Sequence, residues 1–313
     1  MNKESIIHKL KEAGFYNDKS LLEKLSGDAS SREYYRLTNE SQSFVICVES
    51  SNGQQSCDFN IVTNNILDNI KTPKIYYYDP EFSILVLEDI GSVSLKDFYE
   101  KSGLSKHIQA VEDIKKYQKM PLEFCMDRIF DREKIGFEFD LACDYFLNQY
   151  LGVTLNSKEC DIVKGVREII IDYYESHRDV VCHRDYHSNN LYVKDNTLYH
   201  IDYQDMRVGP KMYDLVSLID DCYIEFSEEE KKKLLLTYDK EFFKKYDHDY
   251  HIVQVQRTFK ALGSFAYLKI DKNKEGYLQF IPTNLKKLVS ICEKSSIEAF
   301  RSFSEILKRG LDD

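Results

Sequence analysis

The segment VCHRDYHSNNLYV, residues 181–193, sets two histidines, an arginine, an aspartate and two asparagines between apolar flanks. Two chemistries use such a segment. His183, Asp185 and His187 alternate, so on a strand they would share one face, as metal ligands do. Asp185 and Asn190 stand five residues apart, which suits a loop that orients an acceptor hydroxyl with a carboxylate and holds a metal with an amide oxygen. The first reading needs further ligands, and the histidines at 8, 107, 177, 200, 248 and 251 form no ligand cluster in the sequence. The second gains a partner. LYHIDYQD places Asp202 twelve residues after Asn190, at the end of a second strand. Two short strands within 181–206 would then make a hairpin that delivers Asn190 and Asp202 to one place as Mg²⁺ ligands. The plain alternative is a polar surface turn. His183 is expected to brace the loop through its ring hydrogen bonds, and His187 either does the same or touches substrate.

The residues after Asp202 bear on the acceptor. A kinase that takes polypeptides needs a long segment there to seat them. Here Gly209-Pro210 and Tyr213-Asp214-Leu215 follow within about a dozen residues, with no DFG and no APE. A small-molecule acceptor is therefore expected, with Asp214 capping a helix and bracing the loop. At the phosphate end, SGDASSREYYRL can turn from one strand to the next with backbone N–H groups facing phosphate oxygens. It is neither GxGxxG nor a Walker loop. SFVICVES has Cys47 and Val48 where a third-strand lysine would be expected. Either the chain is a degraded kinase or another cation serves. Arg32 and Arg36 flank the turn, and Arg32 is the first candidate to contact phosphate.

These residues need elements to position them. The chain has 313 residues, enough for two lobes. Hydrophobic residues make up 42% and charged residues 31%, a soluble globular composition. The formal charge of −10 argues against nucleic-acid or anionic-membrane partners. No apolar run has the length of a membrane span, and the start lacks a signal-peptide core, so a cytoplasmic location is expected. The eight cysteines (47, 57, 125, 143, 160, 182, 222, 292) form no CxxC pair, which fits reduced structural thiols. Residues 3–13 read as an amphipathic helix, and 33–37 and 43–48 as a hairpin. A helix follows over 57–70, then two strands separated by DPEF. After Ile90-Gly91 the pattern turns helical over 94–119, 138–151, 157–177, 212–225, 227–246, 249–268 and 285–308. The expected fold is α+β: a small antiparallel-sheet lobe over 1–90 that binds nucleotide, and a larger helical lobe over 91–313 with the catalytic loop and acceptor site.

Several blocks together resemble the aminoglycoside phosphotransferase-like kinases and, more narrowly, the bacterial N-acetylmuramate/N-acetylglucosamine kinases. They are GDASSREYYRL (27–37), CHRDYHSNNLYV (182–193), IDYQDMRVGPKMYDLVSLIDDCY (201–223), VQRTFKALGSFAYL (255–268) and GYLQFIP (276–282). The resemblance implies a protein-kinase-like fold and ATP- and Mg²⁺-dependent phosphorylation of the C1 hydroxyl of an amino sugar, as in cell-wall recycling. It implies Asp185 as catalytic base and Asn190 and Asp202 as metal ligands. Gly27, Asp28, Ala29, Ser30 and Ser31 would cover phosphates, and backbone at Glu88, Asp89 and Ile90 would receive adenine. Asp205, Glu138, Gln256 and Arg257 would lie on the substrate side. The family also lacks the third-strand lysine. One departure concerns Asp220, where the family commonly carries a basic residue; if that group serves an N-acetylmuramate carboxylate, a neutral sugar is preferred here. Two other readings are a kinase for a cationic acceptor of the aminoglycoside or choline type, drawing on Asp220 and Asp221, and a non-catalytic nucleotide-binding module.

Overall fold

The computed structural model describes residues 1–25, 32–40, 42–49, 54–66 and 70–311; the expected phosphate loop Gly27–Ser31 lies outside them. In chain order the main elements begin with α1 (Lys3–Glu12), β1 (Leu21–Lys24), β2 (Arg32–Thr38), β3 (Ser43–Glu49), α2 (Gln54–Asn65), β4 (Ile75–Asp79) and β5 (Ile84–Glu88). Next come α3 (Leu95–Ser102), α4 (Ser105–Tyr117), α5 (Arg132–Leu141), a π-helix (Ala142–Tyr150), α6 (Ser157–Ser176) and β6 (Val180–Cys182). Then follow β7 (Leu191–Lys194), β8 (Thr197–His200), β9 (Arg207–Gly209), α7 (Tyr213–Ile219) and α8 (Glu228–Tyr238). The chain ends with α9 (Phe242–Lys245), α10 (Asp247–Ile270), α11 (Ile281–Lys294) and α12 (Glu298–Lys308). It divides into two compact units, Met1–Leu95 with Asn190–Asp205, and Lys96–Asn189 with Met206–Asp313.

The first unit is built on an antiparallel sheet in the order β1-β2-β3-β5-β4. Side chains alternate across it. One face carries Tyr35, Leu37, Phe44, Ile46, Val48, Ile84 and Val86, and these bury against Ile6 and Leu10 of α1. Each such side chain contributes roughly 1.5–3 kcal/mol on leaving water. The same alternation sends Arg32, Tyr34 and Arg36 of β2, opposite Glu49, Cys47 and Val45 of β3, to the other face. The apolar face thus holds the sheet together and leaves the polar face for chemistry.

The second unit is mainly helical. Asn156 and Ser227 close capping boxes with Glu159 and Glu230, which start α6 and α8 where the sequence pattern puts them. Five expected helices differ; the one over 227–246 breaks at Asp239, in extended backbone between α8 and α9. The one over 94–119 breaks at Gly103, whose φ of +70° favours glycine. The one over 285–308 breaks at Ser295, in extended backbone between α11 and α12. The one over 212–225 ends at Ile219. The one over 138–151 begins earlier, at Arg132 behind an Asp131 cap, and runs on as the π-helix. Phe259 of α10 packs on Phe139 and Phe146, with ring centroids at 5.0 and 6.4 Å, and on Phe303 at 5.3 Å. Gly263 lets α10 approach the π-helix closely, since a Cβ there would stand 2.5 Å from the Ala142 Cα. Among the described residues no helix is long and apolar enough to cross a membrane.

Candidate active site

In the first unit, β7 and β8 pair from Leu191↔His200 to Lys194↔Thr197. Their two-residue turn is Asp195-Asn196, both with positive φ (48° and 58°), as a tight hairpin turn demands. At the open end, the Ile201 N–H donates to the Asn190 carbonyl at 3.0 Å. This closure brings the two expected metal ligands together, with Asn190 Nδ2 3.5 Å from Asp202 Oδ2. Asp202 itself takes a positive φ of 62°, a costly backbone state for a residue with a Cβ. The next residue anchors it: Tyr203 stacks on Phe59 of α2 at 5.0 Å, and its hydroxyl lies 2.6 Å from Thr63 Oγ1. Asp202 Oδ1 accepts from Gln204 Nε2 at 2.8 Å and from Arg32 Nη2 at 3.0 Å.

The two arginines have separate tasks. The Arg32 side chain is only 8% exposed and serves Asp202. Arg36 donates to both oxygens of Asp89, at 2.8 and 3.3 Å. Burial pushes the Asp89 carboxyl up, but the Ser43 hydroxyl, Arg36 and the Gly91 amide outweigh it and hold the group below its ordinary range. Burial also pushes the Cys47 thiol up to about 11, so it is neutral and supplies no charge in place of a lysine. A carboxylate and an amide side by side offer the hard oxygen ligands that suit Mg²⁺, which keeps its remaining positions for water and phosphate. Among the described residues no three His, Cys, Asp or Glu side chains gather as a ligand set.

The strand end expected to receive adenine is well fixed. The Glu88 N–H donates to the Lys74 carbonyl at 2.8 Å, Lys194 Nζ donates to the Asp89 carbonyl at 2.7 Å, and Ile90 is buried. A cleft of about 330 Å³ lies beside it, lined by Phe15, Phe44, Tyr76, Glu88, Asp89 and Lys194 among others. Phe44 alternates to the face opposite Arg36. Asp89, the partner of Arg36, also lines that cleft, whereas Arg32 is turned to Asp202.

In the second unit the Asp185 loop is held by two aspartates. Asp214 accepts the His183 N–H at 2.7 Å and the Arg184 N–H at 3.1 Å. Asp221 accepts the Ser188 N–H at 2.7 Å and the Tyr223 N–H at 2.9 Å. Asp214 braces the loop as expected but does not cap α7, whose N-cap is Met212. Burial pushes its carboxyl up to about 7 against the pull of those two amides. The His183 ring lies edge-on to Tyr117 and Tyr186, at 5.4 and 5.2 Å, so the bracing shown here runs through the backbone at 183 and 184. Arg184 takes a φ of +82°, a second strained position directly before Asp185.

Asp185 opens into a cavity also lined by His187, Asp220, Tyr223, Arg257 and Lys260. Burial would raise the Asp185 pKa, yet Arg184, Lys260, Arg257 and His187 hold it well below the usual carboxylate range. Arg184 Nη1 stands 3.6 Å from it. On α10, Arg257 Nη1 and Lys260 Nζ donate to the Tyr213 hydroxyl at 3.1 and 3.4 Å. Lys260 Nζ also lies 3.5 Å from Glu138. Burial together with Arg257 and Arg184 pushes the Lys260 ammonium down to about 8, against Glu138 and Asp185.

Of the expected substrate-side residues, Arg257 and His187 line this cavity, while Glu138 and Gln256 stand behind its wall. Gln256 donates to Glu138 at 3.1 Å and accepts from the Tyr174 hydroxyl at 2.9 Å. Asp205 follows the hairpin in the first unit and is half-buried. The Asp220 carboxylate is already engaged, by Lys231 at 2.9 Å, Tyr250 at 2.6 Å and Gln254 at 2.8 Å. The premise of a free negative charge at 220 therefore does not hold. Sequence reasoning missed Lys260, Tyr213 and the bracing role of Asp221. The signal for Lys260 is its place three residues after Arg257 in the largely apolar stretch 258–268.

The sheet unit with its Asp202 hairpin, and the helical unit with its Asp185 loop, define a kinase-like phosphotransferase. The profile described as "Phosphotransferase enzyme family" matches residues 22–248, and the chain belongs to that family. It is 27% identical to the N-acetylmuramate/N-acetylglucosamine kinase of Neisseria meningitidis over 278 residues, 84% of this chain and 83% of the relative. It is 24% identical to the protein of the same name from Pseudomonas putida over 270 residues, 82% and 79% of the two chains. Its fold is similar to that of a Plasmodium vivax ethanolamine kinase, with a TM-score of 0.67, 14% identity, and 96% and 92% of the chains covered. It is also similar to the ADP-bound aminoglycoside phosphotransferase APH(2'')-Ib, with a TM-score of 0.62, 15% identity, and 91% and 97% covered.

Proposed function

We propose that the protein phosphorylates the anomeric hydroxyl of an N-acetylated amino sugar, N-acetylglucosamine or N-acetylmuramate, with ATP and Mg²⁺. The observation that carries this reading is Asp185, a half-buried, fully ionised carboxylate at one wall of a small polar cavity in a chain similar to kinases of those two sugars. Asp185 orients the acceptor hydroxyl. Its low pKa makes it a weak base, so it receives the proton late, as the new O–P bond forms and the bond to the leaving ADP oxygen breaks. Asn190 and Asp202 would hold the metal, which supplies positive charge to the phosphates. Arg32 would serve as the phosphate-facing cation in place of the third-strand lysine, because the carboxylate it holds is the proposed metal ligand Asp202, whereas Arg36 is tied to Asp89. The Gly27–Ser31 backbone would cover phosphates, and the strand end at Glu88–Ile90 would receive the adenine.

The engagement of Asp220 and Asp221 disfavours a cationic acceptor. Both carboxylates are satisfied inside the protein, and the cations Arg257 and Lys260 line the same cavity. The test is a panel of neutral, acidic and cationic acceptors with ³¹P NMR of the product. A sugar 1-phosphate is expected. Phosphate on another hydroxyl, or turnover confined to aminoglycosides or choline, would overturn the reading.

A further inference from the structure

The cavity wall on α10 presents Arg257 and Lys260 three residues apart, which puts both on one face of the helix. One tyrosine oxygen, that of Tyr213, receives both cations, and the Arg257 guanidinium also lies over the Tyr213 ring at 4.9 Å. The Lys260 side chain is only 14% exposed. The groups facing this pair come from every element packed around it. Arg184 and Asp185 come from the loop, Glu138 with Lys134 from α5, and Tyr213 and Asp214 from α7. The cations Arg184, Arg257, Lys260 and Lys134 thus surround two full carboxylates, Asp185 and Glu138. Of the cavity's other carboxylates, Asp220 is paired with Lys231, while Asp221 is held by backbone amides that leave its charge in place, so four cations face three carboxylates. A buried excess of positive charge is costly until an anion joins it.

Resting on the sugar-kinase reading above, we infer that Arg257 and Lys260 form a carboxylate-recognition subsite. The favoured acceptor is then the amino sugar that carries a carboxylate, as N-acetylmuramate does, over its neutral counterpart. This reverses the preference expected from Asp220. The depressed Lys260 pKa, about 8, fits a cation crowded by Arg257 and Arg184 that a bound carboxylate would relieve.

The test is titration calorimetry of the full chain with N-acetylmuramate and N-acetylglucosamine, alongside ³¹P-monitored turnover of both. At pH 7 the wild type is expected to bind the acidic sugar about tenfold more tightly, as a charge-assisted contact gives. Lys260→Met should erase most of that ratio, with the larger loss falling on the acidic sugar, and Lys260→Arg should keep it. In the wild type the ratio should fall between pH 7 and 9 as Lys260 loses its proton, a readout that needs no variant. Equal weakening of both sugars by Lys260→Met, a pH-independent ratio, or wild-type preference for the neutral sugar would overturn the subsite and leave the sugar-kinase reading intact. If neither sugar binds or is phosphorylated, both fall together.

Discussion

The two charge clusters of this protein are held in opposite ways. In the sheet unit, Asp202 is 37% exposed and leans on three side chains, Arg32, Gln204 and Asn190. In the helical unit, Asp185, Glu138, Arg257 and Lys260 form a mesh in which most groups have two or more charged neighbours. Few contacts and partial exposure of the carboxylate would suit a group proposed to exchange a protein partner for a metal. A more enclosed mesh would suit groups proposed to keep one geometry while a hydroxyl is positioned, because a lower dielectric strengthens the contacts inside it. The contrast is one between parts that trade ligands and parts that stay fixed.

The strongest way to break this contrast is Asp185→Asn. It should lower phosphoryl transfer by about 10²–10⁴-fold while Mg-ATP affinity is unchanged. Turnover and calorimetric nucleotide titration would check it, and equal loss of both would mean the two clusters are not functionally separate. Next in size is Asp214→Ala, which strands two buried backbone amides and should cost about 2–5 kcal/mol of stability. Denaturant unfolding measures it, and wild-type stability would show that the loop is braced some other way.

Arg32→Ala should weaken Mg-ATP binding about tenfold, whereas Arg36→Ala should act mainly on stability through Asp89. Titration of both variants with and without Mg²⁺ separates the two. Smaller again is a pH effect. Lys260 titrates near 8 when folded and near 10.5 when unfolded, so between those values the unfolded chain holds the extra proton. Stability from this group therefore rises with pH across that window, and Lys260→Met should flatten the slope in urea unfolding. The smallest effect belongs to Arg132, bridged to Glu168, Asp172 and Glu175 at the surface. Arg132→Ala should leave the melting temperature unchanged within error.

Much of this was legible in the residues. The Asp185–Asn190 spacing and Asp202 twelve residues on placed the hairpin, because a two-residue Asp195-Asn196 turn leaves little freedom in how its strands pair. Glycine at 103 and the Asp131 cap were also readable signals for helix ends, yet an unbroken apolar periodicity hid them. The sequence was less informative about the acceptor wall. Whether Asp220 is free or engaged depends on Lys231, Tyr250 and Gln254, which come from α8 and α10 and are far from it in the chain. For the same reason Lys260 was not singled out. A charge's partners in a helical unit are fixed by packing, and spacing along the chain does not reveal them.

The close approach of Gly263 to Ala142 has a consequence for the acceptor cavity. Arg257 and Lys260 stand on the same helix, within two turns of that glycine, and the π-helix backbone leaves no room for a methyl between them. Any side chain at 263 would have to push α10 along or about its axis, and both cations would travel with it. The cavity can thus be retuned from its dry side, by a residue that never meets the sugar.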